Sequence, residues 1–134
     1  MSHLDLAAIV GRSEHNGVYR LVEGLAVADA IVVSGRHLHG KPAMLEALAE
    51  ALAFPDWFGG NWDALEDCLT DLSWLDGGVT LLIDSADLPE AVAPEAWDVL
   101  LDILADAARY WHGQGRPFSV LLQGGHAAYP MVAV

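Results

Sequence analysis

The sequence predicts an α/β domain built on a small three-stranded parallel sheet packed with helices, with an extra N-terminal segment or edge strand. Three observations lead there. Residues 29–34, 79–83 and 118–122 are short apolar runs, with the length and side-chain content of buried strands. The chain between them repeats apolar residues at helical spacing. Each connection is also long enough for the helical crossover that parallel strands require.

The elements follow in order. Residues 1–16 are weakly patterned, with a short apolar turn at Leu4–Val10. Residues 17–24 alternate modestly between glycines and read as a short strand, suited to a sheet edge or a hairpin. Asp29 to Ser34 is the better strand candidate, and Gly35 and Gly40 mark the loop after it. Pro42 suits a first helical turn, and Met44, Leu45, Leu48, Ala49 and Leu52 place an amphipathic helix over 42–53. Phe54-Pro55 ends it, because the residue before proline disfavours the α region. Asn61 is a candidate N-cap for a second helix over 62–72. Val79 to Ile83 is apolar at nearly every position, as a strand buried on both faces should be. Residues 84–93 read as an acidic loop. A long helix then runs from Pro94 or Glu95 to about 111, with Trp97, Leu100, Leu101, Leu104, Ala107, Ala108 and Trp111 on its apolar side. Residues 118–122 form the last strand, and the Gly/Ala-rich stretch 123–134 has no periodicity. The resulting organisation is an N-terminal extension over 1–28, a domain over 29–123 and a tail over 124–134.

Charge is the strongest global signal. Nineteen Asp and Glu face six Lys and Arg, for a formal net charge of −13. All six basic residues lie outside positions 42–108, whereas fifteen of the acids lie between 46 and 106. Such a field repels nucleic acid and anionic lipid and attracts basic proteins or cations. The lone cysteine, Cys68, permits neither an internal disulfide nor a zinc framework. No basic segment followed by an apolar run opens the sequence, and no apolar stretch has the length of a membrane span. The expectation is a cytoplasmic protein.

On the second helix, Trp62, Leu65, Cys68, Leu69 and Leu72 form one stripe, and Asp63, Glu66, Asp67, Thr70 and Asp71 form the opposite face. Asp63 with Asp67 and Asp67 with Asp71 are i,i+4 neighbours, each such like-charge pair costing an isolated helix about 0.2–0.5 kcal/mol. The helix dipole offsets part of this for Asp63, in the first turn. A face selected for solubility alone mixes signs. This one accepts repulsion, as expected if a partner supplies the positive charge. Trp57 and Phe58 precede the helix in a short turn, where two adjacent aromatics cannot easily both point inward. An exposed aromatic beside carboxylates is a common composition of binding hot spots.

Residues 55–70, Pro-Asp-Trp-Phe-Gly-Gly-Asn-Trp-Asp-Ala-Leu-Glu-Asp-Cys-Leu-Thr, resemble the barstar family motif, which runs roughly Pro-x-aromatic-aromatic-Gly-x-Asn-x-Asp-Ala-Leu-x-Asp-Cys-Leu. The order of elements over 29–123 is similar too, so the resemblance implies a barstar-like fold. It further implies an inhibitor that plugs the active site of a small, basic, secreted, barnase-like ribonuclease with this helix and loop. It implies no catalytic residue, cofactor or metal, no direct contact with nucleic acid or membrane, and a monomer when free. Asp63 and Asp67 match the motif's two inhibitory carboxylates, with Asp67 central. Trp57 matches the aromatic that covers the site, and Gly59 and Asn61 match its turn and contact positions. Phe58, Gly60 and Glu66 complete the candidate surface. A further acidic contact from the long helix falls on Asp106, or failing that Asp102. The chain departs from the family at Glu66, where barstar has tryptophan, at Gly60, an acidic position, and at Trp62, an aliphatic one.

Other readings have less support. Nothing follows a calcium-loop or di-iron spacing, although Asp63, Glu66 and Asp67 could hold a hard cation. His37 and His39, if extended, could share a face and bind a metal, but two such histidines more often sit in an exposed loop. Cys68 lies on the apolar stripe, as a core thiol does. No phosphate-binding loop, dinucleotide fingerprint or supported catalytic triad is present. The alternative to an inhibitor is a non-inhibitory interaction module for another basic protein.

Overall fold

A computed structural model describes residues 5–132. Five strands form one sheet in the order β2-β3-β4-β1-β5, and every adjacent pair is parallel. The strands are β1 (Gly17–Leu21), β2 (Ile31–Ser34), β3 (Val79–Asp84), β4 (Phe118–Gln123) and β5 (Met131–Val132). The helices are α1 (Leu6–Ile9), α2 (Lys41–Ala51), α3 (Trp62–Leu69), α4 (Asp87–Val92) and α5 (Pro94–Gln114). Single 3-10 turns lie at Ser13–His15 and Gly35–His37.

The expected parallel α/β architecture is present, but the sheet has five strands rather than three. β1 is not an edge strand or half of a hairpin. It lies between β4 and β5, running in register from Gly17 opposite Ser119 to Leu21 opposite Gln123. Val18, Tyr19 and Leu21 are all buried, so both faces of the strand are covered and its weak alternation in sequence misleads. β5 comes from the tail read as irregular. It is two residues long, pairing Met131 with Arg20 and Val132 with Leu21, too short for any periodicity. α4 occupies the stretch read as an acidic loop. Leu4 and residues 133–134 lie outside the described residues.

Two cores flank the sheet. Val18, Val33, Leu81, Ile83, Phe118, Val120 and Leu122 pack with the apolar faces of α2, α3 and α5. Tyr19, Leu21, Leu82 and Leu121 pack on the other side with Ile9 and Val132, under Leu6, Leu25, Val27 and Ala30. Each fully buried aliphatic side chain contributes about 1.5–3 kcal/mol. Gly35 lets the turn after β2 lie against the end of β3. A Cβ there would stand 2.2 Å from the Ser85 carbonyl oxygen, which no side chain can tolerate.

The tail is held by polar contacts. The Arg20 guanidinium donates to the Gly125 carbonyl at 2.6 Å, and the Arg20 backbone N–H donates to the Pro130 carbonyl at 2.7 Å. Glu90 on α4 accepts the His126 backbone N–H at 2.7 Å and lies 2.8 Å from His126 Nδ1. The backbone N–H, followed by the ring, holds the Glu90 carboxyl below its ordinary pKa. Because the folded pKa is the lower one, this contribution is fully present above the unfolded value of about 4.3 and is lost as pH falls through the folded value. Glu90→Gln should therefore lower stability at neutral pH by up to about 1 kcal/mol. Urea titrations carried from neutral pH into acid should show the gap between the two proteins closing below about pH 4.

Candidate protein-binding site

α3 begins where the sequence places it. Asn61 is extended, and its Oδ1 accepts the Ala64 backbone N–H at 2.8 Å, satisfying one of the free donors of the first turn. Leu65, Cys68 and Leu69 are fully buried, and Trp62 is half-buried with the Lys41 ammonium 5.6 Å from its ring centroid. The helix ends at Leu69, earlier than the expected 72. Thr70 Oγ1 bonds back to the Glu66 carbonyl at 2.9 Å, and Leu72 takes a left-handed conformation at φ 46°.

The carbonyls at this end are claimed by α5 and the residues after it. Trp111 Nε1 donates to Leu69 O at 2.7 Å. The Arg116 guanidinium donates to Leu72, Leu75 and Gly77 at 3.1, 2.8 and 2.6 Å, and lies over the Trp111 ring at 4.8 Å. The unpaired acceptors of a helix C-terminus and its following turn are thus filled by groups from one neighbour, and a cation sits at the negative end of the dipole.

The outer face is open. Asp63, Glu66 and Asp67 are exposed, and among the described residues none of them, nor Asp71, takes part in an ion pair. The two aromatics before the helix divide as a tight turn demands. Phe58 packs inward, edge to face with Phe54 at 5.0 Å between ring centroids. Trp57 stays 58% exposed and packs edge to face with the Trp74 ring, at 6.2 Å between centroids. Gly60 sits at φ 70°, in the left-handed region that favours glycine, and carries the exposed chain from Trp57 to Asn61.

Trp57, Gly59, Gly60, Asn61, Asp63, Glu66 and Asp67 therefore share one exposed loop-and-helix surface, with Phe58 beneath it. Asp106 lies on α5. Its carboxylate pairs with Arg109 on the exposed side of α5. Burial, and then the charges of Asp102, Asp98 and Asp106 against the opposing pull of Arg109, raise the pKa of Tyr129 in the tail, placing these groups near that residue. Tyr110 is a residue that sequence reasoning missed. It is 44% exposed and packs at 4.9 Å against Trp111, the side chain that ties α5 to α3. Its signal was an aromatic on the polar side of an otherwise regular amphipathic helix.

Among the described residues no group of three or more His, Cys, Asp or Glu is arranged to hold a metal ion. His37 and His39 are exposed and line a cavity of about 500 Å³ between β2 and α2, together with Glu46 and Glu50; no residue of α3 lines it. Burial, then Asp71 and Asp67, push the Cys68 thiol pKa up, so it is not poised as a nucleophile. No helix of the described residues is long and apolar enough to cross a membrane.

A parallel α/β domain that projects exposed carboxylates and an exposed indole from one helix and the loop before it has the makings of a protein-binding module. The family described as Barstar (barnase inhibitor) matches residues 28–123, and this chain belongs to it. The chain is also similar to "Putative ribonuclease inhibitor YrdF" of Bacillus subtilis (strain 168), at 31% identity over 77 residues, spanning 58% of this chain and 82% of that protein. β1 and β5 both lie outside the family match.

The cap is the local feature that sets where α3 starts. Asn61→Ala should cost about 1 kcal/mol in chemical denaturation, and Asn61→Ser, which can also cap, should recover most of it.

Proposed function

We propose that this protein inhibits a small basic ribonuclease by covering its active site with α3 and the loop before it, without catalysis of its own. The observation that carries this reading is the row of exposed carboxylates, Asp63, Glu66 and Asp67, with no ion-pair partner among the described residues. A site that binds RNA phosphates is lined with basic groups, so these carboxylates occupy the positions that phosphates would take. In this reading Asp67 is the central acceptor, Asp63 stands one turn before it, and Trp57 covers the rim. Gly59, Gly60 and Asn61 let the backbone approach closely. Glu66 makes the patch more acidic than the family motif. Asp106 shares its carboxylate with Arg109 and would add an acidic contact from α5. The protein acts as a cytoplasmic monomer that captures its target through opposite charge.

The barstar family and the similarity to a protein named as a ribonuclease inhibitor support ribonuclease inhibition in general. A barnase-like target is the finer part of the proposal. The second reading, binding of another basic protein without inhibition, draws on Glu66 and on the engagement of Asp106 with Arg109.

RNA-cleavage assays against a panel of small basic ribonucleases, barnase included, test the proposal. Asp67→Ala should weaken inhibition by about 30-fold to several thousandfold, the range for truncating one member of a buried charge pair, while Asp5→Ala should leave it unchanged. Equal, small effects of the two substitutions would move the site elsewhere. Raising salt should slow association while the circular dichroism spectrum stays constant; a rate indifferent to salt would remove electrostatic capture from the account.

A further inference from the structure

We propose that Trp74 is the positioning residue of the binding surface, fixing Trp57 in the orientation in which it meets a partner. The inference rests on the inhibitor reading for its consequence in binding, but its structural half needs no partner.

Trp57 has few means of holding its own orientation. It is 58% exposed, lies in the turn between α2 and α3, and is followed by Gly59 and Gly60, which add no side-chain packing. An exposed indole free to rotate loses rotamer entropy on binding, and that loss subtracts from affinity. The ring it packs against is that of Trp74, at 6.2 Å between centroids and 83° between planes.

Trp74 is itself held on two sides. Its Nε1 donates to the Leu52 carbonyl at 2.9 Å, at the C-terminal end of α2. Phe54 packs edge to face against it at 6.0 Å, and Phe54 in turn holds Phe58 at 5.0 Å. Leu52 is fully buried, so the acceptor is fixed to the core. The backbone of Ala53, left-handed at φ 53°, and the Phe54 N–H bonded to the Ala49 carbonyl at 2.8 Å turn the chain out of α2 toward this cluster. Trp74 thus takes its position from α2 and passes it to the loop before α3, although it lies on the far side of α3 in sequence. Residues 73–75 lie in the turn whose carbonyls Arg116 braces, so the support is anchored from its other end as well.

Trp74 is half-buried and is not counted among the residues that touch the partner. Its effect passes through Trp57, which gives the experiment a signature. Two indoles this close and nearly perpendicular couple their transitions, so the far-ultraviolet circular dichroism of the free protein should contain an exciton feature. Trp57→Ala and Trp74→Leu should each abolish it, and the double variant should remove nothing more. Trp74→Phe should keep Trp57 packed but lose the bond to Leu52, and serves as the folded comparison if Trp74→Leu proves unstable. In inhibition assays Trp74→Leu should weaken binding about tenfold, mostly as faster dissociation, with Trp74→Phe intermediate. In the background of Trp57→Ala the same substitution should change affinity less than twofold, because the residue it positions is gone. Additive losses would overturn the proposal, as would a folded Trp74→Leu protein that keeps the exciton feature or binds as the wild type does. A wild-type protein that shows the exciton behaviour but inhibits no ribonuclease would instead overturn the inhibitor reading and leave the role of Trp74 in place.

Discussion

The structure depends on how α3 is held. A helix of eight residues is too short to be stable by itself, and this one also carries a row of like charges on its outer face. It has no salt bridge to its own scaffold among the described residues. Attachment therefore falls to the parts of the helix that a partner would not see. Leu65, Cys68 and Leu69 are buried completely. The backbone acceptors at the C-terminal end and in the next turn are taken by Trp111 and Arg116. Arg116 adds a positive charge at the negative end of the dipole, where Asp67 and Asp71 get no help from the helix itself. The few tenths of a kcal/mol lost in each carboxylate repulsion are small beside the roughly 1.5–3 kcal/mol from each buried leucine. A fully charged outer face is affordable because the inner face and the carbonyls do all the holding.

The loop follows the same division on a smaller scale. Of two adjacent aromatics, Phe58 packs against the core and Trp57 stays exposed. Phe54 and Trp74 connect them, so the exposed ring belongs to a four-ring cluster rather than to a mobile turn. Pre-ordering of this kind lowers the entropic cost of association.

Much of this was legible in the sequence, and the exceptions have physical causes. α2, α3 and α5 announce themselves because each needs a continuous apolar stripe, and the seven apolar residues expected on α5 are all buried. β3 and β4 are buried on both faces and read as nearly continuous apolar runs, broken by Thr80 and Ser119. β1 does not, since Arg20 interrupts it; that side chain sits in a parallel sheet only because its guanidinium turns out to the Gly125 carbonyl. β5 has two residues and takes its order from its neighbour. The inner and outer faces of α3 were readable from spacing alone. The pairing of Asp106 with Arg109 was open to the same rule, since Asp106 is the one α5 carboxylate three residues from that cation, but the choice of Asp106 rested on the family resemblance and did not weigh it.

The family match and the fold do not end at the same residue, and the difference is informative. The match begins at residue 28, yet β1, before it, lies between β4 and β5. Val18 enters the helix-side core, while Tyr19 and Leu21 enter the other. Asn16 joins the same system. Its side chain donates to the Ala108 and Arg116 carbonyls at 3.3 and 2.8 Å and accepts the Phe118 N–H at 2.7 Å. The residue that braces the end of α3, Arg116, is thus itself fixed through its backbone by a side chain from outside the matched region. The residue that leads into β1 is thus part of the support for α3, reached in two steps: Asn16 to the Arg116 carbonyl, and the Arg116 guanidinium to the carbonyls that follow α3.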